Sequence, residues 1–401
     1  MFDILKERGF IFDTTHEDEI KNLLNNEKIT FYIGFDPTAD SLHIGHFLTF
    51  MAMGHLQKKG HTPIILLGGG TGMVGDPTDR TDMRKVLSIE EIDHNVNRFR
   101  SQVEKLPFID LEKAIVLNNA HWLKNLNYME FLRDFGADFS VNRMLSADSY
   151  KTRYEKGLTF LEFNYMILQA YDFFHLNKEH NCIIQIGGKD QWSNILAGLD
   201  LIRRKSGKDA YGLTLSLLET AEGKKMGKTM GGAVWLDANK TSPHEFYQFF
   251  RNIDDKVVTN YMRLLTFIPM EEIKEFELLK GKEVNKAKER LAYEVTKIIH
   301  GEEASEEAKK AAISLFGSNS SKTDDEGSIP KCELTEDTLD ILTLLEKTSL
   351  VKSRSEGRRL IAGGGIKINE ETIVDDAAQI TIVDGLMVRK GKKHFCKVVK
   401  K

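Results

Sequence analysis

Two histidines three residues apart, His43 and His46, give the strongest chemical signal in the chain. They lie in FDPTADSLHIGH, where an apolar strand ending at Phe35 gives way to a polar loop. A run with apolar residues at Ile44, Phe47, Leu48, Met51 and Leu56 follows, and that spacing is helical. The two imidazoles therefore share a face at a helix start. A helix start offers N–H groups and the positive end of a dipole, a seat for phosphate. Gly45 between them permits close approach to the backbone. Paired imidazoles beside such a seat suit a nucleotide. The alternatives are a polar helix face or half of a metal site. Metal is disfavoured, because no third ligand is near and Cys182, Cys332 and Cys396 are scattered.

Further polar groups recur at strand ends. GGGTGMVGDPT lacks the Walker lysine and the dinucleotide spacing, yet its glycines let a ligand approach the backbone. Asp76 closes that loop and either meets an ammonium or caps a turn. Between Thr159 and Leu176 the pattern is helical, opened by a Thr159–Glu162 capping box. Tyr165, Gln169 and Asp172 fall at i, i+4 and i+7, a polar stripe on an apolar helix. Solvent edges favour lysine and glutamate, so the stripe reads as the wall of a polar pocket. Gly187-Gly188-Lys189-Asp190-Gln191 turns a strand into a helix, with Asp190 either capping it or meeting a ribose hydroxyl. EGKKMGKT, residues 222–229, reads as a mobile basic loop, alone a solvated turn, and matters only in company with the histidines.

The elements that must position these groups alternate. Strands are expected at Ile29–Phe35, Pro63–Leu67, Ala114–Leu117, Asn181–Ile186 and Leu213–Leu218, with helices between, and Phe2–Asn26 gives one or two short helices. Such alternation predicts a parallel α/β sheet with ligands at its carboxyl edge. Tyr128–Phe139 is strongly aromatic, either core or a subunit interface. Ser242-Pro243-His244-Glu245 opens a helical, charge-rich region that runs to Phe316. A polar stretch follows and reads as a flexible linker. Lys352, Arg354, Arg358 and Arg359 mark a basic helix beside short strands, which suits RNA backbone contact. The expected fold is α/β: a Rossmann-like parallel-sheet catalytic domain over 1–220, an all-helical domain over 221–318, a linker over 319–335 and a small α+β RNA-binding domain over 336–401.

A chain of 401 residues supports two or three domains. The net charge of −4 excludes a globally basic nucleic-acid binder, so RNA contact must be local. Three scattered cysteines, a start (MFDILKERGF) without an apolar core and no bilayer-length apolar run predict a cytoplasmic protein without membrane contact.

Taken together, the motifs resemble class I aminoacyl-tRNA synthetases. His43-Ile44-Gly45-His46 matches the family's HIGH motif unaltered, and Lys225-Met226-Gly227-Lys228-Thr229 looks like KMSKS with Gly227 and Thr229 for the serines. YIGFDPTADSLHIGH, GDPT, FNYMILQAYDF, QIGGKDQW and TSPHEFYQFF narrow the likeness to bacterial-type tyrosyl-tRNA synthetases. The last segment is similar to RNA-binding domains of the ribosomal-protein-S-four type, and the helical region to an anticodon-binding domain. The resemblance implies a tyrosine–tRNA ligase that makes tyrosyl-adenylate from L-tyrosine and ATP with magnesium, then charges tRNA(Tyr). It implies that Tyr32, Asp76, Tyr165, Gln169, Asp172 and Gln185 surround the amino acid. Asp172 and Tyr32 would meet the phenol, and Asp76, Tyr165 and Gln169 the ammonium. Gly34, Asp36, His43, Gly45, His46, Asp190, Gln191 and Lys228 would hold ATP. Thr38, His43, His46, Lys225, Lys228 and Thr229 would serve catalysis, and Arg354, Arg358 and Arg359 RNA. A homodimer through Tyr128–Phe139 is also implied. The rivals are a tryptophanyl-tRNA synthetase, against which Asp172 and Tyr32 argue, a small-molecule nucleotidyltransferase, and a non-catalytic RNA-binding protein on a synthetase scaffold.

Overall fold

A computed structural model describes residues 1–78, 86–223, 226, 232–316, 331–351, 353–369, 371–391 and 394–400. They divide into two units, residues 1–312 and 313–401.

The first unit is built on a six-stranded sheet. Its strands are β1 (Ile11–Thr14), β2 (Thr30–Phe35), β3 (Thr62–Leu67), β4 (Ile115–Asn118), β5 (Cys182–Gly188) and β6 (Tyr211–Leu215). Their order is β1-β6-β5-β2-β3-β4, with every pairing parallel except β1 against β6. The apolar runs FYIGF and PIILL form the middle of the sheet because both faces are covered. The chain adds β3 and β4 on one side of β2, then returns to place β5 and β6 on the other. The reversal opens a crevice at the carboxyl ends of β2 and β5, where open α/β sheets take ligands.

The helix Ile44–Lys58 follows β2 and is buried almost all round, from Phe47 to Gln57. Its hydrophobic side chains belong to the main core together with Phe31, Ile33, Ile65 and Leu67. Gly60, at φ 88°, turns the chain toward β3. The expected single helix from Thr159 is instead two: Phe160–Phe163, and Tyr165–His180 after a break at Asn164. The capping box is present, with Glu162 N donating to Thr159 Oγ1 and Thr159 N to Glu162 Oε2. Three buried side chains brace this break. Arg153 holds Glu162 through Nε–Oε1 at 2.9 Å and Nη2–Oε2 at 3.1 Å. Tyr150 donates to Phe163 O at 2.7 Å and accepts from Met166 N at 3.2 Å.

Phe2–Asn26 yields the helices Phe2–Arg8 and Glu17–Asn26 with β1 between them, a strand that was not expected. β1 is four residues long, lies at the sheet edge and pairs with residues about two hundred positions later, so no local pattern announces it.

The helical region opens as expected on a Ser242–Glu245 capping box with Pro243 in the first turn. Five helices follow: Pro243–Arg251, Val258–Leu265, Met270–Glu277, Val284–His300 and Glu302–Phe316. Phe246, Leu265 and Leu291 share one core with the sheet. Arg8, 4% exposed, joins the two, donating to Arg263 O at 2.7 Å, to Thr266 O at 3.0 Å and to Ile268 O. These carbonyls end the helix Val258–Leu265, where a cation complements the dipole.

The second unit has a five-stranded sheet in the spatial order Glu371–Thr372, Ile366–Ile368, Met387–Lys390, His394–Lys400, Lys331–Leu334. The last pair is parallel and the others antiparallel. Lys331–Leu334 is thus a strand inside the stretch expected as linker, and the earlier linker residues lie outside the described ones. Helices Ile341–Lys347 and Arg354–Ala362 pack over a core that includes Leu344, Ile361, Ile366, Val388 and Val398. Among the described residues no helix is long and apolar enough to cross a membrane.

Candidate active site

A cavity of about 860 Å³ opens at the crevice between β2 and β5, within the usual range for small-molecule sites. Tyr32, Asp76, Tyr165, Gln169, Asp172 and Gln185 all border it. So do Gly34, Asp36, Thr38, His43, Gly45, His46, Asp190 and Gln191. Lys225, Lys228 and Thr229 lie outside the described residues, as does Lys352. Met226, from the same lysine motif, borders the cavity, and its N donates to Leu218 O at 2.6 Å.

At the inner end three polar atoms are buried without a hydrogen-bond partner among the described residues: Tyr32 Oη, Gln169 Oε1 and Gln185 Oε1. Each such atom costs about 1–3 kcal/mol unless a partner arrives. Beside them Asp172 is 2% exposed. Burial raises its carboxyl to about 7, against hydrogen bonds from Asn119 and Trp122 that favour the charge. Asn119 Nδ2 donates to Oδ2 at 2.8 Å and Trp122 Nε1 to Oδ1 at 2.7 Å. Gly70 N donates to Asn119 Oδ1 at 2.7 Å, which turns the Asn119 amide so that its NH2 faces Asp172. Burial, then the charge of Asp172, pushes the Tyr32 phenol well above its ordinary value, so Tyr32 stays a donor. The pair can hold a hydroxyl that accepts from one and donates to the other.

Asn119 and Trp122 were missed from the sequence. The available signal was weak: two asparagines, Asn118 and Asn119, at the carboxyl end of β4.

Further out, Asp36 accepts from Thr71 Oγ1 at 2.7 Å and from Tyr165 Oη at 2.8 Å. Asp76 accepts from Gln191 Nε2 at 2.7 Å, and from Thr78 N and Oγ1 at 2.9 and 2.6 Å. Two carboxylates and the Gln169 oxygen thus border one cavity, a set of acceptors that suits a cation. Tyr165, expected at the amino acid, bonds Asp36, and Gln191, expected at ATP, bonds Asp76. Gly68 is the residue that lets Asp36 sit here, because a Cβ would lie 2.1 Å from Asp36 Oδ1 and 2.6 Å from Thr71 Oγ1.

The histidine turn corrects one expectation. The helix start does not present free N–H groups to a phosphate. Ile44 N donates to Val234 O at 3.0 Å, Gly45 N to His43 Nδ1 at 3.0 Å, and His46 N and Phe47 N to His43 O. His43 N donates to His46 Nδ1 at 3.2 Å, so the two imidazoles form a capping box of their own. The rings stack with centroids 3.8 Å apart. With each Nδ1 accepting, the ring proton sits on Nε2, and the imidazoles themselves become the donors. Burial, then His43, hold His46 well below its ordinary pKa, so it works as a neutral ring. Gly45 is needed for the ring of His43 itself, which a Cβ would approach to 2.9 Å.

In the second unit, Arg354, Arg358 and Arg359 stand exposed on one helix. Arg354 pairs with Asp340 at 3.0 Å and Arg358 with Asp376 at 3.1 Å. Exposed pairs of this kind are worth little and yield readily to a stronger anion.

A family model described as tRNA synthetases class I (W and Y) matches residues 24–317, and one described as a tyrosine–tRNA ligase SYY-like C-terminal domain matches 320–398. A tyrosine–tRNA ligase of Clostridium botulinum is 55% identical over 405 residues, covering 100% of this chain and 99% of that one. The chain belongs to the tyrosine–tRNA ligase family. A second family member, from Acetivibrio thermocellus, is 57% identical over 99% of this chain and 98% of its own. Among solved structures, a C-terminally truncated mitochondrial tyrosyl-tRNA synthetase of Aspergillus nidulans is 31% identical, with a TM-score of 0.71 over 79% of this chain and 94% of that one. A tryptophanyl-tRNA synthetase of Encephalitozoon cuniculi, 13% identical with a TM-score of 0.58 over 77% of this chain and 87% of that one, shares the fold.

Proposed function

We propose that the chain joins L-tyrosine to the 3′-terminal ribose of tRNA(Tyr) at the expense of ATP. The observation that carries the reading is the inner end of the cavity, where Tyr32 Oη and two glutamine oxygens are buried unpaired beside Asp172. A phenol placed there accepts from Tyr32 and donates to Asp172. The ammonium group meets Asp76, Tyr165 and Gln169, with Asp36 behind Tyr165, and Gln185 closes the side. The tyrosine carboxylate then faces outward to the histidine turn.

ATP lies along Gly34, Asp36, His43, Gly45, His46, Asp190, Gln191 and Lys228. A carboxylate oxygen of tyrosine attacks the α-phosphorus, the bond to pyrophosphate breaks, and tyrosyl-adenylate forms. The nucleophile is already an anion, so catalysis consists of positioning and of opposing charge on the leaving group. Thr38, the Nε2–H groups of His43 and His46, Lys225, Lys228 and Thr229 supply that opposition. In the second step a ribose hydroxyl attacks the tyrosyl carbonyl carbon and AMP leaves.

Among the described residues no cluster of three or more His, Cys, Asp or Glu side chains could hold a metal ion. Magnesium belongs to this reading as the companion of the ATP phosphates. Arg354 and Arg358 exchange their carboxylate partners for the tRNA backbone, which Arg359 also meets, and the helical region binds the anticodon. The free thiols of Cys182, Cys332 and Cys396 fit a cytoplasmic enzyme.

A homodimer covers the apolar surface of the helix Tyr128–Asp134, where Tyr128, Met129 and Leu132 are 59%, 68% and 48% exposed. Sedimentation at micromolar concentration is expected to give twice the chain mass, and a Met129→Asp, Leu132→Asp variant to give a single chain. A wild-type monomer removes this element.

The activity is tested by charging bacterial tRNA with labelled tyrosine. The wild type is expected to form an alkali-labile tyrosyl ester, and Lys228→Ala to lose activity by roughly 10²–10³-fold. A folded wild type that forms no ester contradicts the reading.

A further inference from the structure

The histidine turn is held by more than its own helix. Leu42 and Ile44 are fully buried, and His43 between them borders the cavity. Opposite runs a short extended strap, residues 234–236. Ile44 N donates to Val234 O at 3.0 Å and Leu236 N to Leu42 O at 2.9 Å. These bonds flank His43 and Trp235, which form a directly opposed antiparallel pair. A pair flanked rather than joined by its hydrogen bonds has the closer of the two cross-strand spacings. The strap alternates as a strand must: Val234 and Leu236 enter the main core, and Trp235 borders the cavity. Its ring centroid is 6.3 Å from that of His43.

The strap is braced in turn. Trp235 N donates to Thr241 Oγ1 at 3.0 Å. Lys240 Nζ lies 5.3 Å from the Trp235 ring and 2.6 Å from Asp40 Oδ1, in the loop that leads to His43. Asp237 pairs with Arg98 on the helix Ile89–Val103. The strap is thus tied to the histidine segment through its backbone, through an aromatic ring and through an ion pair. None of this was legible in the motifs, because the pair joins residues about 190 positions apart.

We propose that Trp235 is a positioning residue for His43 and that the Lys240–Asp40 pair keeps its ring in place. The inference rests on the reading of this cavity as the seat of tyrosine activation. It predicts a selective defect. The groups assigned to tyrosine come from β2, the Tyr165 helix, β5 and the loop at Asp76, whereas the strap acts on the imidazole that opposes phosphate charge.

The test compares wild type, Trp235→Leu, Trp235→Phe and Lys240→Met in ATP–pyrophosphate exchange and in tyrosine binding without ATP. Trp235→Leu is expected to lower kcat roughly tenfold to a hundredfold, the range for a misplaced catalytic group, with tyrosine Kd within about twofold of wild type. Trp235→Phe keeps a flat ring opposite His43 and recovers most of the loss. Lys240→Met loses up to about fivefold, as a partly exposed ion pair allows. Wild-type kcat in a folded Trp235→Leu overturns the proposal. So does a loss of tyrosine affinity in step with kcat. If Trp235→Leu does not fold, an undiminished kcat in Lys240→Met overturns it. The ¹H–¹⁵N signals of the His43 ring in the ligand-free protein give a readout independent of turnover. Trp235→Phe and Lys240→Met are expected to shift them, and unmoved signals overturn the proposal even in a wild type without exchange, which alone would defeat the proposed activity.

Discussion

An Asp172→Asn enzyme is expected to lose tyrosine activation by about a hundredfold or more in kcat/KM, and to gain thermal stability relative to wild type as the pH is raised. The first effect follows from the count of donors. Asn119 Nδ2 and Trp122 Nε1 already point at the two carboxylate oxygens, and the substrate phenol adds a third donor. An amide offers one oxygen and turns its NH2 toward one of them. Losing a hydrogen bond to a charged group costs about 1.5–3 kcal/mol, and a buried donor left unpaired adds to it.

The second effect follows from the proton. In the folded protein the Asp172 carboxyl titrates near 7, against an ordinary value of 3.8. Between these values the folded chain holds a proton that the unfolded chain has lost. Stability therefore falls as the pH rises through that window, and the cost is complete above about 7, on the order of 4 kcal/mol. Asparagine carries no such slope. Calorimetry at pH 5 and pH 8 is expected to show the difference in Tm moving in favour of the variant at the higher pH. Parallel pH profiles for the two proteins would sink this account of Asp172. For the same reason tyrosine affinity is expected to weaken below about pH 7, because a donated phenol favours the ionised carboxylate.

Glu162→Gln is expected to cost about 3–5 kcal/mol of stability, because it leaves the buried Arg153 guanidinium without its charge partner. The Arg153 and Glu162 side chains are 5% and 3% exposed. Burial disfavours the Glu162 charge, but Arg153 and Thr159 outweigh it and hold the carboxyl below its usual range. Its contribution is therefore complete at neutral pH and is lost as acid protonates it. An Arg153→Met, Glu162→Leu double variant removes both charges and is expected to regain much of the loss. The pair braces the break just before the Tyr165 helix, so Glu162→Gln is also expected to raise KM for tyrosine more than it lowers kcat. Urea unfolding decides the first point. A Glu162→Gln protein within about 1 kcal/mol of wild type would mean that the pair is not a structural anchor.

Much of the site could be read from the sequence because its groups sit where local patterns change. The polar stripe of Tyr165, Gln169 and Asp172 stood out on an apolar helix, and the paired histidines stood out at a strand-to-helix turn. Groups placed by tertiary contact were not legible. Asn119 and Trp122 reach Asp172 from the turn that follows β4, Gly68 matters only because Asp36 crosses it, and Trp235 meets His43 from a distant segment. The helix start at Ile44 shows the same limit. The pattern located it, but not that its N–H groups are consumed by His43, by Val234 and within its own first turn. Likewise β1 exists because β6 offers an edge, not because IFDT is a strong strand former.

Tyr32 and Asp172 are expected to select a phenol for activation by ATP. The most direct test is ATP–pyrophosphate exchange by the wild-type protein with tyrosine, phenylalanine and tryptophan in turn. Exchange with tyrosine, and little with the other two at equal concentration, is the predicted result. Comparable exchange with phenylalanine or tryptophan, or none with tyrosine in a folded protein, would contradict it.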